Sequence, residues 1–168
     1  RIGRLILAQT PEEALSERVF DLVTHFNRAS ALLTSSTERD RVVRLNLLAG
    51  RKAKASLAFS AADAYLTSGI ALLPPDPWES DYELAFSLHL EKANSALSDG
   101  RIEEALAQFD PLLERARSSV DQAAVYRMQI ATLLMAGRPG EAVESGLRGL
   151  SLFGIHQSSH PTGEDVQA

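Results

Sequence analysis

Cysteine is absent from all 168 positions. That removes disulfides, thiolate nucleophiles and cysteine-based zinc sites together. β-Branched aliphatics are scarce: Val and Ile together supply 14 residues, whereas Leu (25) and Ala (24) supply 49. Leu and Ala favour helix and β-branched residues favour strand, so a β-sandwich or barrel is disfavoured from the start. No excess of positive charge exists either. The net charge is −5 and the pI about 5.4, which gives no electrostatic case for nucleic acid. Long apolar runs are missing as well. The opening Ile2-Gly3-Arg4-Leu5-Ile6-Leu7 is far shorter than the about 20 residues a membrane span needs, and no small-residue cleavage site follows it. The sequence therefore predicts a cytoplasmic segment with no membrane partner.

Motifs of catalysis are also wanting. A phosphate loop needs Gly-x4-Gly-Lys-Ser/Thr; Gly50-Arg51-Lys52 has no partner glycine and runs on into Ala53. No serine sits in a Gly-x-Ser-x-Gly turn. Four histidines are present: His25, His89, His156 and His160. His156 and His160 have ligand-like spacing, but on a Ser-rich loop with no third His or Cys nearby, so loop residues are expected there and not a metal site. His25 and His89 read as packing or surface residues. Glu12-Glu13 and Glu103-Glu104 fall at helix starts, where carboxylates meet the positive helix end. Trp78, the only tryptophan, reads as a packing anchor. These readings give no catalytic residue, no cofactor and no metal, and so a segment that is not itself an enzyme.

What is present is helix after helix. Thr10-Pro11-Glu12-Glu13 offers an N-cap hydroxyl, a Pro at the first helical position and a Glu at the third. Apolar residues then recur at helical spacing from Leu15 to Leu33. Thr37 with Asp40 predicts the next start, Pro74-Pro75 a stop, and Asp76-Pro77-Trp78-Glu79 a further start whose helix runs to Leu97. Pro111 should kink or split the segment that follows Gly100. Val120 to Ala136 supplies another helix, Gly137-Arg138-Pro139-Gly140 a turn, and Ala142, Val143, Leu147 and Leu150 a last helix that fades at Gly154. This pattern predicts an all-α architecture of about seven or eight helices.

Two stretches repeat. Gly100-Arg101-Ile102-Glu103-Glu104-Ala105 and Gly137-Arg138-Pro139-Gly140-Glu141-Ala142 share Gly-Arg-x-x-Glu-Ala at a spacing of 37 residues. Glycine ends one helix, glutamate helps to start the next, and alanine lets the two pack closely. Ala61, Tyr65 and Ser68 offer a looser copy matching Ala105 and Phe109; Gly146 and Gly149 make the last copy degenerate. The period is that of tetratricopeptide-like helical hairpins. A single helical-repeat domain over 1–168 follows, with leading helices in 1–36, repeats in 37–74, 76–118 and 119–153, and a loop with a helix start in 154–168. The opening run reads as the tail of a helix from a longer protein, and Thr162-Gly163-Glu164-Asp165 as a helix begun and cut off. The hairpins would stack as a right-handed solenoid whose concave face binds a protein, a peptide or a neighbouring domain. Repeat register aims Asn46, Lys54, Asn94 and Arg127 at that face.

Three segments carry a resemblance. They are ERDRVVRLNLLAGRKAKASLAFSAADAY ending at Tyr65, Leu72–Phe86 (LLPPDPWESDYELAF) and Gly154–Val166 (GIHQSSHPTGEDV). With the opening RIGRLIL they resemble the helical region of large bacterial signalling proteins. In those proteins a serine/threonine-kinase-like domain is followed by an AAA/STAND-type ATPase, this helical region, a GAF domain and often a histidine kinase. The resemblance implies a tetratricopeptide-like scaffold between an ATPase and sensor or output domains. It carries over no catalytic residue. It leaves three roles open: an interaction scaffold, an intramolecular relay to a kinase output, or the helical sensor region of a STAND-type transcriptional regulator.

Overall fold

The computed structural model describes residues 2–157 and, among them, nine α-helices, two 3-10 turns and no strand. The chain divides into two compact units, Arg1–Asp99 and Gly100–Ala168. The boundary falls within the stretch 76–118 that the sequence reads as one hairpin.

The first unit contains α1 (Ile2–Ala8), α2 (Leu15–Arg28), α3 (Ser36–Ala55), α4 (Phe59–Ala71), α5 (Pro77–Ser80) and α6 (Tyr82–Ser98). α3 is its central post, because its middle is apolar on more than one side. Val42, Leu45 and Ala49 join Val19, Leu22, Val23 and Phe26 of α2 in one cluster. Val43 and Leu47 join Leu66 of α4 and Leu84 and Leu88 of α6 in another. A helix with one apolar stripe buries one face; α3 has two and is covered on both.

The helix starts differ from those predicted in instructive ways. Thr10 does not cap α2. Its hydroxyl donates to the Ile6 carbonyl at 2.6 Å, closing the end of α1, and α2 begins after a 3-10 turn at Glu12–Ala14. The cap of α3 is Ser35, which accepts from the Glu38 amide, and not Thr37; the same Ser-x-x-Glu pattern operates two residues earlier. Asp76-Pro77 opens only the four-residue α5, because Asp81 supplies a competing cap. Its Oδ1 accepts from the Leu84 amide at 3.2 Å and starts α6.

The second unit contains α7 (Ile102–Arg115), α8 (Ser119–Met135) and α9 (Pro139–Ser151). Pro111 does not split α7, which continues to Arg115. The carbonyl that loses its donor belongs to Ala107, which is exposed, so water can serve it. Ser118 caps α8 reciprocally, accepting from the Asp121 amide and donating its hydroxyl proton to the Asp121 carboxylate. α9 packs on α8 through small residues: a Cβ at Gly149 would lie 3.4 Å from Tyr126 Cβ, and one at Gly146 3.7 Å from Ile130. Both distances are those of ordinary van der Waals contact, so the glycines that make this copy look degenerate in sequence lie on the face that meets α8.

Candidate functional site

A cleft of about 400 Å³ lies in the first unit between the start of α3, the end of α4 and the start of α6. Its apolar wall is Val43, Leu72, Leu73, Pro74 and Leu84; its polar rim is Ser36, Arg39, Asp40, Arg44, Ser80 and Asp81. The Pro74-Pro75 stop holds one side, since neither residue can extend α4. Arg44 answers both rim carboxylates. Arg44 Nε donates to Asp40 Oδ2 at 3.1 Å, and its Nη2 donates to Asp81 Oδ2. The hydrogen bond to Asp40, with the charges of both carboxylates, raises the Arg44 pKa above its ordinary value. Arg39 donates to the Leu33 carbonyl at 3.0 Å. Two cations and two anions leave the cleft without net charge.

Asp81 does two jobs from one side chain, capping α6 with one oxygen and tying α6 to α3 through Arg44 with the other. Neither Arg39, Arg44 nor Asp81 was singled out by sequence as a site residue. The Ser-x-x-Glu and Asp-x-x-Leu cap patterns mark the helix starts that build the cleft, but the Arg44–Asp81 ion pair across it spans 37 residues and leaves no local signal.

The four residues expected on a concave face have different fates. Asn46 is fully buried and must be withdrawn from any exposed face. Its amide exchanges two hydrogen bonds with Asn27, at 2.8 and 2.9 Å, and donates a third to the Val42 carbonyl. Lys54 is half-buried and bonds Glu91 Oε2 at 2.5 Å, while Arg51 bonds Glu91 Oε1 at 2.8 Å. Burial pushes the Glu91 carboxyl up, but the two cationic donors outweigh it and hold its pKa below the usual value. Asn94 is half-buried on α6, and Arg127 is exposed on α8 of the second unit. Gly50-Arg51-Lys52 lies inside α3, where Lys52 bonds the Ser16 carbonyl and sits 5.7 Å over the Phe20 ring.

Trp78 stacks on His89 at 5.3 Å and contacts Tyr82. Burial, helped by Lys92, lowers the His89 pKa. Among the described residues no group of three or more His, Asp or Glu is placed to hold a metal ion. His156 is exposed; His160 and the helix start at Thr162 lie outside the described residues. No described helix is long and apolar enough to cross a membrane.

No family model matches the chain, and no solved structure matches it. It is similar to hybrid signal transduction histidine kinase G of Dictyostelium discoideum, 24% identical over an alignment of 146 residues that covers 82% of this chain. The chain spans about 4% of the length of that protein. The similarity gives the chain a signalling-protein context. The relative is not bacterial, so the bacterial setting implied by the resemblance has no support in it.

Proposed function

We propose that this chain is a non-catalytic, tetratricopeptide-like interaction segment of a larger signalling protein of the ATPase and kinase kind. The observation that carries the reading is a recurring hairpin turn. Leu57, Gly100 and Gly137 all adopt left-handed φ, at 59°, 74° and 70°, and five residues later Ala62, Ala105 and Ala142 are all buried. One turn device repeated three times supports a repeat architecture more strongly than the sequence motif alone. It also corrects the register of the upstream copy: the buried partner of Ala105 is Ala62 and not Ala61, and Leu66, not Tyr65, takes the place of Phe109. In this reading the hairpins stack as a solenoid, and the segment joins signalling domains through contacts and not through chemistry.

The α3–α4–α6 cleft is the place such a segment would hold a peptide. Its size falls in the range of small ligand sites, its floor is aliphatic and its two cations and two anions balance. An apolar side chain on an uncharged stretch of peptide fits it better than a phosphate or a polyanion. Selection from a displayed library of short peptides tests this. Ser36→Trp, at the exposed mouth, should abolish capture of the aliphatic peptides that the native chain selects, with the helical circular dichroism unchanged. Selection of acidic or phosphorylated peptides, or capture indifferent to Ser36→Trp, argues against the assignment. Deleting the segment from the parent protein and assaying kinase output separates a binding role in trans from a relay in cis.

A further inference from the structure

α7 and α9 both pack on α8 and leave between them a hollow of about 250 Å³, wholly within the second unit. Helical spacing builds its walls. Leu106 and Asp110 stand one turn apart on α7, and Gln129 and Leu133 one turn apart on α8; Ser145 faces them from α9. The Ser145 side chain is 2% exposed, yet its hydroxyl has no hydrogen-bond partner among the described residues. The other buried polar side chains are all answered. Thr10 bonds the Ile6 carbonyl, Ser95 that of Phe59, Thr132 that of Met128, and Asn46 bonds Asn27. A buried hydroxyl that opens on a hollow and bonds nothing marks a place for a ligand. The half-buried Gln129 amide and the exposed Asp110 carboxylate also have no partner among the described residues. Each of the three helices thus brings one unanswered polar group to the same hollow.

The charges say which ligand. Arg138 is taken by Glu141 through two hydrogen bonds of 2.6 Å. Arg148 and Glu144 face each other at 3.8 Å on the solvent side of the rim. Asp110 is left over, so the hollow carries one negative charge in excess. Its carboxylate can only accept hydrogen bonds, and Gln129 and Ser145 can each accept through an oxygen. Three acceptors and one surplus negative charge match a primary ammonium, which has three donors, no acceptor and one positive charge. Leu106 and Leu133 lie beside them and can cover an aliphatic stem. We propose that this hollow binds an alkylammonium group, the chemistry of a lysine side chain, with its nitrogen on Asp110, Gln129 and Ser145 and its stem along Leu106 and Leu133. The proposal does not rest on the α3–α4–α6 cleft and holds whether or not that cleft takes a peptide.

NMR titration of the isotope-labelled 168-residue chain with Nα-acetyl-lysine amide tests it. Saturating shifts are expected at the Gln129 side-chain amide and at the backbone amides of Asp110 and Ser145. The Nζ-acetylated compound keeps the stem and loses the charge, and should bind at least about tenfold more weakly. Asp110→Asn should weaken binding of the lysine compound to the same degree, and Ser145→Ala at least about threefold. Ser145→Ala removes an unanswered hydroxyl, so its urea midpoint should equal or exceed that of the native chain. n-Butylamine, titrated in parallel, separates two sources of the group. Tighter binding of the lysine compound supports a side chain of another protein, and tighter binding of butylamine a small free amine. Shifts that do not saturate, equal binding of the Nζ-acetylated compound, or unchanged affinity in Asp110→Asn overturn the proposal. Preferential binding of acetate or of Nα-acetyl-arginine amide does so as well.

Discussion

The side-chain amides of Asn27 and Asn46 bond each other twice, one from α2 and one from the buried centre of α3, with N–O distances of 2.8 and 2.9 Å. Two amides facing each other in this way satisfy one donor and one acceptor on each, and Asn46 places its remaining donor on Val42. The pair fixes the register of α2 on α3, because no aliphatic neighbour can take either partner's place.

Removing one partner should therefore cost more than its exposure suggests. Asn27 is only half-buried, yet Asn27→Ala leaves the Asn46 carbonyl and one N–H orphaned in the interior. We expect a loss of about 1–3 kcal/mol in urea unfolding. Asn46→Leu should cost less, because the amide of Asn27 can still turn to water. A double-mutant cycle should return a coupling well above the error of measurement; additivity of the two losses would show that the amides do not depend on each other.

Gly50 stands at the closest crossing of α3 and α4. A Cβ there would lie 2.6 Å from Leu66 Cγ and 2.7 Å from its Cδ2, and Leu66 is itself 1% exposed and has little room to move. Alanine is the better helix former by about 1 kcal/mol, but overpacking of this kind costs about 1–3 kcal/mol. Gly50→Ala should thus be destabilising on balance, and Leu66→Ala in the same chain should remove the penalty that comes from the clash. Stabilisation by Gly50→Ala alone would mean that the helices can separate without cost.

Gly50 shows what sequence conveys and what it hides. The apolar spacing of α3 is legible from Val42 to Ala53, and so is the absence of a phosphate loop. That Gly50 marks a helix crossing depends on Leu66, sixteen residues away, and no local pattern records it. Register fails in the same manner. Asn46 and Lys54 are two turns apart on one helix, but α3 is covered on two sides, so Asn46 falls inside and Lys54 at the rim. A repeat template aims a residue at a face; the number of neighbours decides whether that face is open. Caps shifted by a few residues as well: Ser35 and not Thr37 caps α3, and Asp81 and not Asp76 caps α6, because neighbouring residues offer the same three-residue signal.

Leu57 occupies a position built for glycine. The Ala58 amide bonds the Ala53 carbonyl and the Leu57 amide bonds that of Lys54, and the ends of α8 and α9 make the same pair of bonds around Gly137 and Gly154. In this closing motif the residue at left-handed φ is commonly glycine, since a Cβ there is strained. Leu57 is 75% exposed, so its side chain contributes little packing to offset the strain. Leu57→Gly should stabilise the chain by about 1 kcal/mol, and Gly137→Ala should destabilise it by a similar amount. Equal unfolding midpoints for Leu57→Gly and the native chain would show that Leu57 has packing not visible in its exposure.

Glu91 ties α6 to α3 through Lys54 and Arg51, and its acid response follows from the direction of its shift. Burial raises its pKa, but the hydrogen bonds and charges of the two cations lower it further, so the folded value lies below the ordinary carboxylate value of 4.5. A carboxyl depressed on folding stabilises the native state above its unfolded pKa, and that stabilisation is lost as the pH falls through the folded value. Glu91 therefore contributes its full share at neutral pH and loses it progressively below about pH 4.5. Glu91→Gln should lower stability at pH 7 and leave a shallower decline on acidification than the native chain shows. Urea midpoints measured from pH 7 to pH 3 on both chains give the comparison. If the two curves run parallel, the carboxylate is not held by Lys54 and Arg51 in solution.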